Sequence, residues 1–274
     1  MRRSSVALTA LALAALALPA AALAQEAPAP DPAAAPAPDP AATTPEPAPT
    51  TPTTPEPPPL PPTDVAGPTP ATSWAGRLLV TSVARRNPGP QGKAFKVVEP
   101  IAPLGAGPVW LEVRGVRVVH NVRWVKMLLP MRPNGTEGWM RAQDFEFKEL
   151  HRRVEIAVGA RRLTVFQGSR RVATFPIAVG AAGTPTPTGT FAIAEVIPTG
   201  DPKAFLGTYV LPLTAFSRVL NEFAGGNGRV AIHGTSMPDL IGQAVSHGCI
   251  RMRNHDVGRV VKLVSAGAIV KIHN

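Results

Sequence analysis

The pattern of apolar and polar positions divides the chain into stretches of different texture. Val6 to Leu18 is an apolar run rich in Ala and Leu, preceded by Arg2 and Arg3 and followed by the small residues Ala22-Leu23-Ala24. From Gln25 to about Thr72 the dipeptides Ala-Pro, Asp-Pro and Thr-Pro recur, a texture that cannot bury a core. After Trp74 the pattern becomes that of strands. Arg77 to Val83 is a β-like run. Val109 to Pro130 alternates apolar with polar positions, which nominates Trp110, Leu111, Val113, Val116, Val118, Val122, Trp124 and Val125 for a core. Arg132-Pro133-Asn134-Gly135 supplies a turn, with Trp139 close behind. Val154 to Val158, Arg162 to Phe166 and Val172 to Val179 read as three strands, parted by Gly159-Ala160 and by Gln167-Gly168-Ser169. A further strand, Arg229 to Ile232, runs into His233-Gly234-Thr235. Near the end the period changes. Val257, Val260, Val261 and Val264 recur at helical spacing, Asn254 is placed to cap that helix, and Gly267 ends it before a strand from Ala268 to Ile272.

Composition changes this picture in three places. The first 24 residues read as a secretory signal peptide, because the apolar run is short of the roughly 20 residues a spanning helix needs; an uncleaved anchor is the alternative. Of the 33 prolines, 18 fall between Glu26 and Thr72, together with six acids, no base and no aromatic residue. In polyproline II, at about 3.1 Å per residue, that linker reaches about 145 Å, enough for a stalk; a passive tail is the other reading. The remaining residues, 73 to 274, carry 26 bases against 12 acids, so the net charge of +10 for the whole chain understates the basicity of its folded part. For an exported protein the polyanions within reach are wall polymers, peptidoglycan carboxylates and anionic lipid rather than nucleic acid, unless the excess Arg is only a solvated surface.

A single Cys excludes a disulfide-stapled scaffold and a Cys-rich zinc site. That Cys lies in Ser246-His247-Gly248-Cys249-Ile250-Arg251, with His247 two residues before it and His233 sixteen before it. A free thiol is mostly protonated at neutral pH, so nucleophilic use needs a base or a positive charge, and His233, His247 and Arg251 are placed to provide one. Gly248 lets a carbonyl approach the backbone, and the amides of residues 248 and 249 are candidate oxyanion donors. Two bland readings stand beside this: a small buried hydrophobe at Cys249, and an irregular metal site from His233, His247, Cys249 and His255. The run Gly180 to Phe191 reads as a rigid folded-back loop. Segment 200 to 228, with Phe205, Leu206, Gly207, Tyr209, Phe216, Phe223 and Gly225-Gly226-Asn227-Gly228, is either core or a lid over the thiol. His255 and Asp256 fall in the first helical turn and serve its electrostatics. His120, His151 and His273 have no Cys or acid partner in view.

The segments Thr186-Pro187-Thr188-Gly189-Thr190-Phe191, Ile232-His233-Gly234-Thr235 and Ser246-His247-Gly248-Cys249-Ile250-Arg251, followed by Asn254 and Asp256, resemble the L,D-transpeptidases with a YkuD-type catalytic domain. Arg123 to Pro130, then Asn134-Gly135 and Gly138-Trp139, resemble bacterial SH3-like domains. Together these imply a mainly β protein: a small SH3-like β-barrel at 73–148 followed by a YkuD-type β-sandwich catalytic domain at 151–274 with one or two helices. The SH3-like unit would bind wall or act as a spacer. The resemblance makes Cys249 the nucleophile, His233 the proton acceptor and donor, and the Gly234 carbonyl the group that orients its imidazole. His247, Gly248, Ser246 and Arg251 would support the thiolate or the substrate; Arg251 stands where some members have Asn, and His233 and His247 could exchange roles. The implied reaction is attack on a peptidoglycan stem-peptide amide, loss of D-Ala and transfer of the acyl group from Cys249 to an amine. The same thioester route ending in hydrolysis, and a non-catalytic wall-binding protein, are the alternatives. No cofactor and no nucleic-acid partner is expected. Stem peptides and anionic wall polymers are the expected partners, in the periplasm or cell wall.

Overall fold

The computed structural model describes residues 64–223 and 225–274; the expected signal peptide and linker residues 25–63 lie outside the described residues. Seven strands come first: β1 (Ser73–Leu78), β2 (Ser82–Arg85), β3 (Ala94–Val98), β4 (Trp110–Val119), β5 (Val122–Leu128), β6 (Glu137–Arg141) and β7 (Phe145–Leu150). They form one antiparallel sheet in the order β3-β2-β6-β5-β4-β1-β7. The long alternating run is broken into β4 and β5 by His120-Asn121, both at positive φ (48° and 60°). Two such residues between directly paired strands make a type I′ turn, whose twist matches that of the strands it joins. His120 is thus a turn residue.

Leu111, Val113, Trp124 and Val125 are buried as expected, whereas Val118 is 63% exposed. The reason is the reach of the neighbours. β1 pairs with β4 only from Trp110 to Glu112, and β6 covers β5 only as far as Trp124, so the tip of the hairpin projects beyond the sheet. The expected strand Arg77 to Val83 is likewise two strands, with Leu79 and Val80 exposed between them. Val65 packs into the core of this sheet, and the Pro70 carbonyl accepts from Arg153, so residues just before Ser73 lie on the folded part.

Eleven strands follow Leu150: β8 (Arg152–Ala157), β9 (Arg162–Gln167), β10 (Arg170–Pro176), β11 (Val179–Gly180), β12 (Gly189–Ala192), β13 (Ile197–Pro198), β14 (Tyr209–Phe216), β15 (Arg229–His233), β16 (Ala244–Ser246), β17 (Ile250–Arg251) and β18 (Ile269–His273). They make a five-stranded sheet, β10-β9-β8-β18-β12, a four-stranded sheet, β13-β14-β15-β17, and the pair β11-β16. Period-two alternation sends Val154 and Ile156, Leu163 and Val165, and Val270 and Ile272 to one face. There they share a core with Leu211, Leu213, Val230 and Ile232 of the four-stranded sheet. The helix α1 (Asn254–Leu263) adds Val257 and Val260 to that core, the face its spacing predicted. The protein is therefore mainly β, with one α-helix among the described residues. Among the described residues no helix is long and apolar enough to cross a membrane.

Candidate active site

Two strand ends meet at the candidate site. β15 and β17 pair in parallel, with Ile232 beside Ile250 and His233 beside Arg251. Both strands are apolar on the core side (Val230, Ile232, Ile250), and this burial is what brings residues sixteen apart in sequence together. Cys249 immediately precedes β17, and its thiol receives a backbone hydrogen bond from Ala231, two residues before His233. The thiol and the imidazole therefore share the end of β15.

The turn leading into β17 is held from inside and outside. Ser246 is buried; its hydroxyl donates to the Cys249 carbonyl at 2.6 Å and accepts from the Gly248 amide at 3.1 Å. Gly248 has φ +112°, a conformation that a side chain would strain. The folded-back loop after β11 grips the same turn. Thr186 Oγ1 donates to the Gly248 carbonyl at 3.0 Å and accepts from Gly180 N at 2.9 Å, while Thr184 Oγ1 donates to the Ser246 carbonyl at 3.0 Å. This corrects one expectation: the Gly248 amide is already engaged by Ser246, which leaves Cys249 N–H as the donor available from that nominated pair.

His233 is almost wholly buried, and its Nδ1 lies 2.6 Å from the Gly234 carbonyl. A carbonyl can only accept, so Nδ1 carries the proton and Nε2 is left as the basic nitrogen. Burial lowers the His233 pKa to about 4; the Arg251 charge pushes the same way, and the Gly234 and Leu206 carbonyls oppose. Burial pushes the Cys249 thiol up, against the Ala231 hydrogen bond and the Arg251 charge. At the thiol, burial thus outweighs the Arg251 charge and favours the neutral form, against the expectation that neighbouring charges would favour the thiolate.

Arg251 is buried, and its guanidinium lies 4.9 Å over the Phe205 ring. His247 is exposed, and its ring stacks on Phe223 at 4.3 Å and 24°. Segment 200–228 therefore divides between the two expectations. β14 within it is core, while Phe205, 6.2 Å from the His233 ring, and Phe223 are the partly exposed residues that flank the site.

Asn254 is a residue whose part sequence reasoning misplaced. It is the first residue of α1 rather than its cap, and Arg253 holds the cap position without a side-chain bond. Its Oδ1 accepts from Thr208 N (3.2 Å) and Thr235 N (3.1 Å), and its Nδ2 donates to the carbonyls of Pro202 (2.9 Å) and Thr235 (3.1 Å). It ties the loop bearing Phe205 to the strand end bearing His233; its place in the motif block was the only signal. His255 stands exposed beside Asp256 at 3.4 Å. His151 has an acid partner after all, Glu149 at 3.8 Å, on the surface and away from the thiol. His273 contacts the Asn274 carbonyl. Among the described residues no three His, Cys, Asp or Glu side chains stand close enough to hold a metal.

Residues 151–272 match the sequence model of the YkuD family, described as the L,D-transpeptidase catalytic domain. Two curated relatives, from Bacillus licheniformis and Bacillus subtilis (strain 168), both provisionally named L,D-transpeptidase YkuD, are 38% identical over 120 residues, or 44% of this chain. The aligned part spans 64% and 65% of their lengths. The catalytic domain of an Enterococcus faecium L,D-transpeptidase, solved by NMR, is 20% identical, with 44% of this chain and 95% of that one covered and a TM-score of 0.33. An L,D-transpeptidase from Mycobacterium smegmatis is 18% identical, over 60% of this chain and 99% of that one, with a TM-score of 0.35. Both structural likenesses are distant, and the fold rests on the sheets described above. The segment that carries Cys249 and His233 is thus the one that matches the L,D-transpeptidase catalytic domain.

Proposed function

We propose that the chain is a cysteine-dependent L,D-transpeptidase acting on peptidoglycan stem peptides outside the cytoplasmic membrane. The observation that supports this reading is the parallel pairing of β15 with β17, which registers His233 beside Arg251, together with the hydrogen bond to the Cys249 thiol from Ala231, two residues before the buried His233. Because the resting pair is neutral, proton transfer accompanies attack. As Sγ bonds to the donor amide carbon, the thiol proton passes to His233 Nε2, and Cys249 N–H donates to the oxyanion. The intermediate then expels D-Ala, whose nitrogen takes the proton back from the imidazolium, leaving a thioester on Cys249. An amine of a second stem attacks that thioester, gives its proton to His233, and Sγ departs with it as the free thiol. Attack by water instead would give hydrolysis through the same intermediate.

Arg251 and His247 line this centre, the first buried under Phe205 and the second stacked on Phe223. Residues 1–24, read as a signal peptide, would deliver the enzyme to the periplasm or wall. The seven-stranded sheet, read as an SH3-like module, would accompany it there.

The test uses the full chain with a purified disaccharide-tetrapeptide, products followed by mass spectrometry. Cross-linked dimer with release of D-Ala is the expected result, together with a thioester adduct on Cys249. Tripeptide alone would assign hydrolysis. Product formation that survives Cys249→Ala would remove the nucleophile, and with it the reading.

A further inference from the structure

The turn between β5 and β6 reaches out of the seven-stranded sheet to the loop that carries Phe223. Arg132 Nη1 donates to the Asn227 carbonyl at 2.8 Å, and Nη2 donates to the carbonyls of Leu220 at 2.8 Å and Ser217 at 3.2 Å. The same guanidinium lies 4.7 Å over the Phe216 ring. Two residues on, Asn134 pairs with Phe216 as a neighbouring strand would: Nδ2 donates to its carbonyl and Oδ1 accepts from its amide, both at 2.8 Å. A rigid planar fork with five N–H donors suits this work, whereas an ammonium on a flexible stem does not.

The loop so held is tied within itself as well. Ser217 N donates to the Gly228 carbonyl at 2.8 Å, and Phe223 and Gly226 exchange backbone bonds at 2.9 Å each. Gly228, at φ +72°, has no room for a Cβ, which would collide with the Leu220 carbonyl and the Arg132 guanidinium. Yet the working end of the loop is not buried: Phe223 remains 39% exposed while stacked on His247. A partly solvated ring contact of this kind is too weak to order a twelve-residue loop by itself. The order comes from the turn that grips its base.

We propose that Arg132 and Asn134 are positioning residues for the cysteine site: by fixing residues 217–228 they hold Phe223 on His247 and so set the wall of the cleft that receives the donor peptide. The proposal rests on the transpeptidase reading for its kinetic consequence but not for its geometry. It gives the seven-stranded sheet a role in the reaction itself, beyond attachment or spacing.

The test compares Arg132→Ala, Asn134→Ala and Phe223→Ala in the full chain, with thermal unfolding as the check on folding. The first readout needs no turnover. In ¹³C-histidine-labelled protein the His247 ring signals, identified by their loss in His247→Gln, carry the ring-current shift of Phe223. Arg132→Ala should move them toward their positions in Phe223→Ala, and Asn134→Ala should do so in part. The second readout is kinetic. Arg132→Ala should raise KM for the tetrapeptide donor about five- to tenfold with kcat within about twofold, and should add little in a Phe223→Ala background. Folded Arg132→Ala protein whose His247 signals stay at their wild-type positions overturns the proposal, as does a lowered melting point with KM unchanged. If the signals move but the wild-type protein converts no donor, the clamp stands and the transpeptidase reading falls. Should Arg132→Ala not fold, Asn134→Ala is judged by the same criteria.

Discussion

Cys249 and His233 sit in surroundings that favour the neutral form of both: burial raises the one and lowers the other to about 4. The consequence is readable with a single reagent, because Cys249 is the chain's only thiol. Alkylation by iodoacetamide should rise with pH along a curve whose midpoint lies above that of an ordinary cysteine, about 8.5. A midpoint below about 7 would mean a stored thiolate and would sink the neutral-pair mechanism. By the same logic kcat/KM should hold level from pH 7 down to about 5, since the base loses its lone pair only near a pKa of about 4. Residue identity was legible in the motif: Cys249, His233, Ser246 and Arg251 were all named from their neighbours. Their protonation was not, because it depends on how much water the finished fold leaves around them.

At the scale of elements, the Ser246–Cys249 turn owes its shape to a loop some sixty residues earlier in the chain. Thr186 is the joint, buried and bonded to Gly180 on one side and Gly248 on the other. Thr186→Val keeps the volume but strands a buried N–H and a buried C=O, so it should cost about 1–3 kcal/mol in urea unfolding. It should also slow acylation of Cys249 by more than it changes donor KM; an unaltered acylation rate would show that the turn holds its shape without the joint. After Leu150, β8, β9, β10, β15 and β18 were visible in the sequence, as was the buried face of α1, whereas β14 lay in a segment left open between core and lid. The hairpin tip at Val118 and Val122 was not, because alternation marks which residues share a face but not where the neighbouring strand stops. Asn254 was mistaken for a cap because the same side chain serves either purpose, and only the approach of Thr208 and Thr235 decides between them.

Across the whole molecule, two buried groups oppose one another in their effect on stability. His233 is lowered from 6.5 to about 4, so its contribution is full above pH 6.5 and is lost as pH falls through 4. Glu112 is raised from 4.5 to about 7 by burial, with Arg114 Nε 2.7 Å away; its contribution is full below pH 4.5 and is lost as pH rises through 7. Each amounts to about 3 kcal/mol at about 1.4 kcal/mol per pKa unit, and over pH 4 to 6.5 they largely offset. Glu112→Gln removes the second, so the variant's stability should climb with pH over that range more steeply than that of the wild type. Equal slopes in urea titrations would take Glu112 out of this account. The two groups lie in different cores, and those cores are linked through Arg132, Asn134 and the bond from Gly105 N to Glu195.

By itself the sequence determined the chemistry on offer and the class of fold. One thiol, two histidines flanked by glycine, a proline-rich stretch and a basic, strand-forming remainder are properties of residues and their near neighbours, which no folding is needed to read. Tertiary structure decided three further things: that burial favours the neutral forms of the thiol and the imidazole, that Thr184 and Thr186 grip the Ser246–Cys249 turn, and that the β5–β6 turn reaches the loop beside His247. Each depends on which distant segments come to lie together and how much water they exclude. Local spacing along the chain carries no information about either.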